Sequence, residues 1–212
     1  MKKIWLTALL TLLAVGFLWA RGKREKEPSP PPVPQTVNTA ADNPQTPAGE
    51  GEFKPSPEQA ELAKLGFSFP TQAFAAPDFI LKNLAGESKT LTSYRGKIVF
   101  LNFWATWCPP CREEMPSIEK LHREFKNEPF VILAIDLRED LPTVAKFIKD
   151  NKYTYEILLD ETGLVGGDLY GVEGIPTTYI IGKDGRIIGR LVGTRQWTGE
   201  EVYSVFRGLT KG

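Results

Sequence analysis

Residues 97–111 read KIVFLNFWATWCPPC, and they carry the strongest structural signal in the chain. The first half, residues 97–103, is an almost unbroken apolar run, which is typical of a central strand buried on both faces of a sheet. From Pro109 onward, apolar residues recur at helical spacing with charged residues between them. Cys108 and Cys111 therefore lie where a buried strand ends and a helix begins.

The position of Cys108 at the start of a helix favours its ionised form. The first N–H groups of a helix lack helical acceptors and form the positive end of the helix dipole, and both stabilise a thiolate. Cys111 follows one turn later and is more shielded. We predict that Cys108 attacks a partner disulfide and that Cys111 resolves the mixed disulfide. Pro109 and Pro110 fit the first helical positions but offer no N–H to the thiolate, which weakly favours a reductase.

A zinc site and a purely structural disulfide are the alternatives for this pair. A closed zinc site built from thiolates and imidazoles needs four ligands, whereas the chain has two cysteines and one histidine. His122 lies about 16 Å from Cys111 along the helix axis, and we expect it on the solvated surface. A disulfide that closes so short a loop constrains the chain little. We expect no metal, and no cofactor besides the redox-active disulfide Cys108–Cys111.

The composition limits the classes of partner. The chain has 212 residues, of which 42% are hydrophobic and 25% are charged, and this suits one globular domain with additional segments. Lys and Arg together number 26, as do Asp and Glu, so no positive excess indicates binding to nucleic acid. Two cysteines are too few for a disulfide-stapled scaffold.

The first 70 residues show no globular pattern. Residues 4–20 carry no charge and would form a helix about 25 Å long. We predict a signal-anchor over residues 1–20, with a cleaved signal peptide as the alternative. Residues 21–70 are rich in proline and polar side chains, which predicts an extracytoplasmic linker, with a polyproline ligand as the alternative. A short helix is expected within it, over residues 57–65.

The orientation of the span is read from its flanks. The basic residues that follow it favour a cytoplasmic C-terminus. The short N-terminal flank and the export-like layout favour the opposite arrangement, which we prefer. We therefore place the catalytic domain on the periplasmic, extracytoplasmic side of the inner membrane.

Strands and helices alternate through the rest of the chain. The predicted strands are 76–81, 88–91, 97–103, 130–135, 155–159, 177–181 and 186–191. The predicted helices are 109–126, 141–150, 164–170 and 198–209. Residues 182–185 (GKDG) predict a hairpin turn, and Thr198 is the predicted N-cap of the last helix. This order indicates an α/β sandwich with a mixed sheet, which we assign to residues 71–212.

Three motifs resemble a known family. Residues 76–79 (APDF), 102–116 (NFWATWCPPCREEMP) and 170–179 (YGVEGIPTTY) are similar, in this order, to the TlpA/ResA-like membrane-anchored thioredoxin-fold proteins. The resemblance extends over residues 74–210. It implies thiol–disulfide oxidoreductase activity on a thioredoxin-like three-layer sandwich with a central mixed β-sheet, an N-terminal hairpin extension and a central strand–helix insert near residues 137–159.

The resemblance also implies roles for residues near the cysteines. Pro176 matches a cis-proline that faces the disulfide and holds the substrate backbone; an ordinary trans proline at a strand start is the alternative. Glu114 matches an acidic residue that could accept the proton of Cys111; a solvated helix glutamate is the alternative. The other predicted substrate-binding residues are Trp107, Pro109, Pro110 and Ile175.

Two further positions bear on the chemistry. Asn102 stands where thioredoxin carries a buried aspartate, and an asparagine cannot act as a base, so any carboxylate assistance must come from elsewhere. Pro116 matches a proline that kinks the active-site helix.

These observations predict an extracytoplasmic, membrane-tethered reductase of protein disulfides. Apocytochrome c or other exported proteins are the substrates that the resemblance implies. A membrane electron-donor protein would reduce the enzyme, and we expect a monomer that meets the membrane through its N-terminal segment. A disulfide oxidase or isomerase is the main alternative. A thiol peroxidase, suggested by the APDF opening, and a non-catalytic partner-binding module are the others.

Overall fold

The structure is a computed structural model, and residues 54–70, 72 and 74–212 of it are described. The predicted signal-anchor and most of the predicted linker lie outside these residues. Among the described helices, none combines the length and the apolar character that a membrane crossing requires.

The described residues contain four α-helices and seven strands. The helices are α1 (Pro57–Lys64), α2 (Pro109–Glu124), α3 (Leu141–Asn151) and α4 (Glu200–Lys211). The strands are β1 (Ile80–Asn83), β2 (Ser88–Thr90), β3 (Ile98–Trp104), β4 (Phe130–Leu137), β5 (Glu156–Asp160), β6 (Thr177–Ile181) and β7 (Ile187–Val192). A 3-10 helix (Leu91–Tyr94) and a π-helical turn (Val165–Leu169) lie between them.

The strands form one mixed sheet in the order β2-β1-β5-β4-β3-β6-β7. Strands β3, β4 and β5 run parallel at its centre, and the remaining neighbours pair antiparallel. Every residue of β3 is buried. Its side chains alternate between two core clusters, with Phe100 and Trp104 on one face and Leu101 and Phe103 on the other. This confirms the predicted central strand that is buried on both faces.

A layer of side chains covers each face of the sheet. The α-helical layer contributes Met115, Ile118, Ile148 and Phe206 to the first cluster. The opposite layer is built from the N-terminal segment, the 3-10 helix and the π-helical turn, and it contributes Phe79, Leu91, Val165 and Tyr170 to the second cluster. The β1–β2 hairpin extends the sheet beside β5, and α3 with β5 forms the insert. The thioredoxin-like three-layer architecture is thus confirmed.

Helix α1 belongs to the folded unit, although the sequence analysis placed it in the linker. Ser56 and Gln59 form a reciprocal capping box at its start. Leu62 and Leu65 are fully buried, and Phe67 is buried just beyond the helix. The predicted linker boundary at residue 70 is therefore wrong. So few apolar residues give too weak a periodic pattern to indicate a core-facing helix.

Three other local predictions differ from the structure. Helix α4 begins at Glu200 rather than at Thr198, because Gly199 occupies the N-cap with a φ of 117°, a conformation that favours glycine. The first strand begins at Ile80 rather than at residue 76, and the Ala76 N–H bonds to the Gly185 carbonyl oxygen instead. The predicted helix over 164–170 is a π-helical turn.

Candidate active site

Cys108 and Cys111 form a disulfide at the start of α2, with an S–S distance of 2.06 Å. Cys108 is the N-cap residue, and its Sγ accepts a hydrogen bond from the Cys111 N–H at 3.3 Å. Pro109 and Pro110 occupy the first two helical positions and have no N–H to donate. The Cys111 N–H therefore supplies the helix-terminal donor nearest to the sulfur that we expect to carry negative charge.

The two sulfurs are more deeply placed than the sequence suggested. Cys111 is 0% exposed, and Cys108 keeps only 2% of its surface. Both cysteines are thus buried in the oxidised protein. Trp107, immediately before Cys108, is 65% exposed. A substrate would therefore meet the indole of Trp107 before it reaches the sulfur of Cys108.

The loop before β6 covers the disulfide. The Ile175–Pro176 peptide bond is cis, so the alternative of a trans proline is excluded. The carbonyl oxygen of Ile175 lies 3.8 Å from Cys108 Sγ. The structure thus brings together Cys108, Trp107 and the Ile175–Pro176 peptide, as predicted.

A groove runs beside this loop. It has a volume of about 360 Å³. Its walls include Trp107, Leu137, Arg138, Val172, Glu173 and Ile175. Pro109 lies outside it and lines a second groove between α2 and α3, together with Arg112, Phe147 and Tyr153. Trp107 and Ile175 therefore line one groove and Pro109 lines the other, whereas Pro110 and Pro176 line neither.

Glu114 is fully buried, so the alternative of a solvated helix glutamate is excluded. Its Oε1 accepts a hydrogen bond from Asn102 Nδ2 at 3.0 Å. Its Oε2 accepts from the Arg195 N–H at 3.2 Å and from Trp197 Nε1 at 3.1 Å. Both carboxylate oxygens of Glu114 thus accept hydrogen bonds, and these bonds fix the orientation of the carboxyl group on the buried side of α2.

Burial and hydrogen bonding act in opposite directions on Glu114. Loss of hydration raises its pKa, and the bonds from Trp197, Arg195 and Asn102 lower it in part. The balance raises the pKa of Glu114 from 4.5 to about 7. A carboxyl group with this pKa can both accept and release a proton near neutral pH, which suits an acid–base partner for a thiol.

Asn102 has a structural role that its sequence position did not reveal. Its Nδ2 donates to Glu114 Oε1 and to Thr178 Oγ1, each at 3.0 Å. It therefore links β3, α2 and β6. Asn102, at the position of the thioredoxin aspartate, supplies a donor to the carboxylate that lies on α2.

Sequence reasoning missed the donors to Glu114 and the residue that holds the active-site loop. Arg195 and Trp197 lie more than 80 residues from Glu114 along the chain. Glu139 accepts hydrogen bonds from the N–H and the hydroxyl of Thr106, two residues before Cys108. Nothing in the local sequence around these residues predicts contacts between positions so far apart along the chain.

His122 is half-buried rather than solvated. Its ring lies 6.2 Å from that of Tyr155 in an edge-to-face arrangement, and burial lowers its pKa. The expectation failed because His122 lies on the border of the buried face of α2. In the part of the chain that the structure describes, no group of three or more His, Cys, Asp or Glu side chains is placed to bind a metal ion.

Comparison with known proteins places this site in a family. A profile of the AhpC/TSA family matches residues 74–190, which is more than half of the chain. The thiol-disulfide oxidoreductase ResA of Geobacillus thermodenitrificans is 38% identical over 143 residues, which cover 63% of this chain and 82% of that protein. ResA of Halalkalibacterium halodurans is 40% identical over 134 residues, which cover 58% of this chain and 76% of that protein.

Solved structures agree with these relatives. A thiol:disulfide interchange protein of the thioredoxin family from Chlorobium tepidum TLS has a TM-score of 0.58 at 28% identity, covering 66% of this chain and 97% of that chain. StoA of Bacillus subtilis has a TM-score of 0.51 at 27% identity, covering 57% of this chain and 91% of that chain. The chain therefore belongs to the AhpC/TSA family, and it is a ResA-like thiol–disulfide oxidoreductase with the thioredoxin fold.

Proposed function

We propose that the chain is an extracytoplasmic, membrane-tethered enzyme that reduces disulfides of exported proteins, apocytochrome c among them. The observation that carries the proposal is the Cys108–Cys111 disulfide at the start of α2, beside the Ile175 carbonyl oxygen and the exposed Trp107. A substrate backbone can lie along the groove next to this loop. The buried carboxyl group of Glu114 lies on the same helix, one turn beyond Cys111.

The reductive cycle begins with both cysteines reduced. The Cys108 thiolate attacks one sulfur of the partner disulfide, the partner S–S bond breaks, and one partner thiolate leaves. Glu114 accepts the proton of Cys111, and the Cys111 thiolate attacks Cys108 Sγ. The mixed disulfide breaks, the second partner thiolate leaves, and both take up protons. Two electrons have passed to the partner, and Cys108–Cys111 is oxidised.

The reductive direction is supported by the start of the helix. Pro109 and Pro110 leave the Cys108 sulfur without the N–H groups of the first two helical positions. A less stabilised thiolate makes the dithiol form a stronger reductant. A membrane electron-donor protein would return two electrons to the disulfide. The uncharged residues 4–20 support tethering to the membrane, and the proline-rich residues after them support a spacer.

Trapping of partners tests the substrate class. The full-length Cys111→Ala variant cannot resolve the mixed disulfide, so we expect it to accumulate covalent adducts with exported cysteine-containing proteins through Cys108. The Cys108→Ala, Cys111→Ala double variant is the control and should capture none. If the single variant captures nothing more than the double variant, the protein is not a reductase of protein disulfides.

The redox direction and the location have separate tests. A reduction potential well above about −200 mV would favour an oxidase or isomerase over a reductase.

Protease added outside intact spheroplasts should digest the catalytic domain, and protection of the domain would contradict the extracytoplasmic placement.

The match to the AhpC/TSA family favours a thiol peroxidase as a second candidate. A peroxidase would consume hydrogen peroxide at the expense of thiols, and Cys108→Ala would abolish that consumption. We expect instead that insulin reduction depends on Cys108 and that peroxide consumption does not rise above the rate without the protein.

A further inference from the structure

Asp136 is a buried carboxyl group whose oxygens accept no hydrogen bond of ordinary geometry from the described residues. It lies near the end of β4, where it pairs in register with Trp104 of β3. The residue is 0% exposed, and in the described part of the chain neither carboxyl oxygen accepts a hydrogen bond from a protein donor. A buried carboxylate in this state is costly, because no well-formed hydrogen bond replaces its lost hydration.

The groups that face Asp136 make its ionisation still less favourable. The Glu139 side chain, on the loop that follows β4, lies within hydrogen-bonding range, and Asp160 at the end of β5 adds a further negative charge. On the β3 side its neighbour is the uncharged Trp104. The nearest cation along the chain, Arg138, lies against Gly163 instead. Burial first, and then the Glu139 and Asp160 carboxyl groups, raise the pKa of Asp136 to about 8, although the backbone N–H of Glu139 lowers it in part.

Asp160 shows by contrast what Asp136 lacks. It is also buried, at 1% exposure. One of its oxygens accepts from the Gly166 N–H at 2.8 Å, and the other lies 3.2 Å from Thr162 Oγ1. Asp136 has only the Glu139 backbone N–H nearby, in a geometry too poor for an ordinary hydrogen bond. Two carboxyl groups in contact can hydrogen-bond only if one of them keeps a proton. Asp136 can supply that proton to Glu139.

Glu139 in turn holds the loop that carries the attacking cysteine. Its Oε2 accepts from the Thr106 N–H at 2.6 Å, and its Oε1 accepts from Thr106 Oγ1 at 2.5 Å. The Cys108 N–H bonds to the Ala105 carbonyl oxygen in the same loop, at 3.2 Å. The position of Glu139 therefore determines where the segment before Cys108 lies.

We propose that Asp136 and Glu139 share one proton and together act as a positioning pair for the active-site loop, so that loss of this proton loosens the loop and slows exchange at Cys108. The proposal rests on thiol–disulfide exchange at Cys108 and Cys111, as does the proposed function, but not on the direction of electron flow. Two unprotonated carboxylates would repel each other in a buried site, and Glu139 would withdraw from Thr106.

The first experiment measures the pH dependence of exchange. Single-turnover rates of the reduced full-length protein with oxidised insulin are compared for the wild type and Asp136→Asn, whose amide stays uncharged and can donate to Glu139. The ratio of wild-type to variant rate should fall by at least about threefold as the pH rises from 6.5 to 9.5. All other ionisable groups are present in both proteins, so a change in the rate ratio with pH reports the ionisation of Asp136.

A matched control removes an exposed aspartate. Asp168→Asn should give a rate ratio to the wild type that is constant over the same pH range, because Asp168 lies at the surface. A constant ratio for Asp136→Asn as well would overturn the proposal.

A second experiment does not depend on activity. The carboxyl carbon of Asp136, followed by NMR in the oxidised protein, should titrate with a midpoint near pH 8 and not near the usual value of about 4. In Glu139→Gln the facing group is uncharged and can donate, so the midpoint should fall. A wild-type midpoint near 4, or an equal midpoint in both proteins, would refute the proton-sharing pair. Failure to trap exported partners would refute the proposed function and leave this result untouched.

Discussion

Glu114 shows how the pKa of a buried carboxyl group is brought to about 7. Burial alone would hold it protonated, and three donors, one from β3 and two from the loop before α4, restore part of its acidity. A free carboxyl on the surface would be ionised throughout the neutral range and could not take up a proton from a thiol. The geometry around Glu114 therefore matters as much as the presence of an acidic side chain.

Replacement of Glu114 by glutamine should change how stability depends on pH. The folded-state pKa of about 7 lies above the unfolded value of 4.5, so the folded protein binds the proton more tightly. Its stability falls as the pH rises from about 4.5 to 7, by no more than about 3 kcal/mol. In oxidised Glu114→Gln this part of the decline should disappear, as measured by urea unfolding at pH 5 and pH 8. Glu113→Gln, on the exposed side of α2, is the control, and an equal decline in all three proteins would contradict the assignment.

Trp197→Phe should raise the pKa of Glu114 further. The substitution keeps an aromatic side chain but removes the Nε1 donor that lies 3.1 Å from Glu114 Oε2. We expect an upward shift in the Glu114 titration midpoint, followed by carboxyl NMR. Trp104→Phe is a matched control, because Trp104 is equally buried and its Nε1 has no partner among the described residues. Equal shifts in both variants would exclude a specific effect of the Trp197 hydrogen bond.

Part of this site could be predicted from the chain and part could not. The CxxC pair and the place of Glu114 on α2 follow from local spacing, because a strand–helix boundary fixes both. The donors from Trp197 and Arg195 depend on how distant segments pack. The unpartnered Asp136 was invisible for the same reason, because its isolation results from what surrounds it.

At the level of elements, the positions of most helices and strands were predicted well. Helix α1 was predicted over residues 57–65, but its place in the core was not predicted. Helix α2 and strands β3 and β6 were predicted to within two residues of their ends, because burial on one or both faces leaves a strong pattern. Helix α1 has eight residues, of which only Leu62 is buried. Its place in the fold comes from tertiary packing, which a pattern of this length does not encode.

Leu62→Ala tests whether α1 is part of the folded unit. Leu62 is fully buried in the helical layer of the core, and its truncation should lower the free energy of unfolding by about 2–4 kcal/mol. The matched change Lys64→Ala removes an exposed side chain and one surface ion pair, and should cost less than about 1 kcal/mol. Chemical denaturation of both oxidised variants measures the difference, and similar small losses would show that α1 packs weakly.

At the scale of the molecule, sheet topology brings the chemistry to one edge. Strands β3 and β4 run parallel, so the segments that leave their carboxyl ends, one to Cys108 and one to Glu139, lie side by side. Strand β6 runs antiparallel to β3, with Thr177 opposite Phe103, so Pro176 arrives at the same edge. The alternation of elements predicted a mixed sheet, but periodicity did not predict that β6 lies next to β3.

Truncation tests where the folded unit begins. The described residues from 54 onward group as one compact unit, which includes α1. A chain that begins at residue 54 should therefore melt at the temperature of the full-length protein. A chain that begins at residue 71 lacks Leu62, Leu65 and Phe67, and should lose roughly 5 kcal/mol, or at least about 10 °C of melting temperature. Equal melting of the two truncated chains would restore the boundary at residue 70.

The contrast between Trp107 and Cys108 has a consequence for selectivity. A small disulfide that arrives by diffusion finds almost no sulfur surface and nothing to hold it there. A polypeptide that binds against the indole, as we propose, would stay beside Cys108 for longer than a small molecule would. Discrimination between protein and low-molecular-weight oxidants would then arise from residence time at the entrance, and not from the intrinsic nucleophilicity of the thiolate.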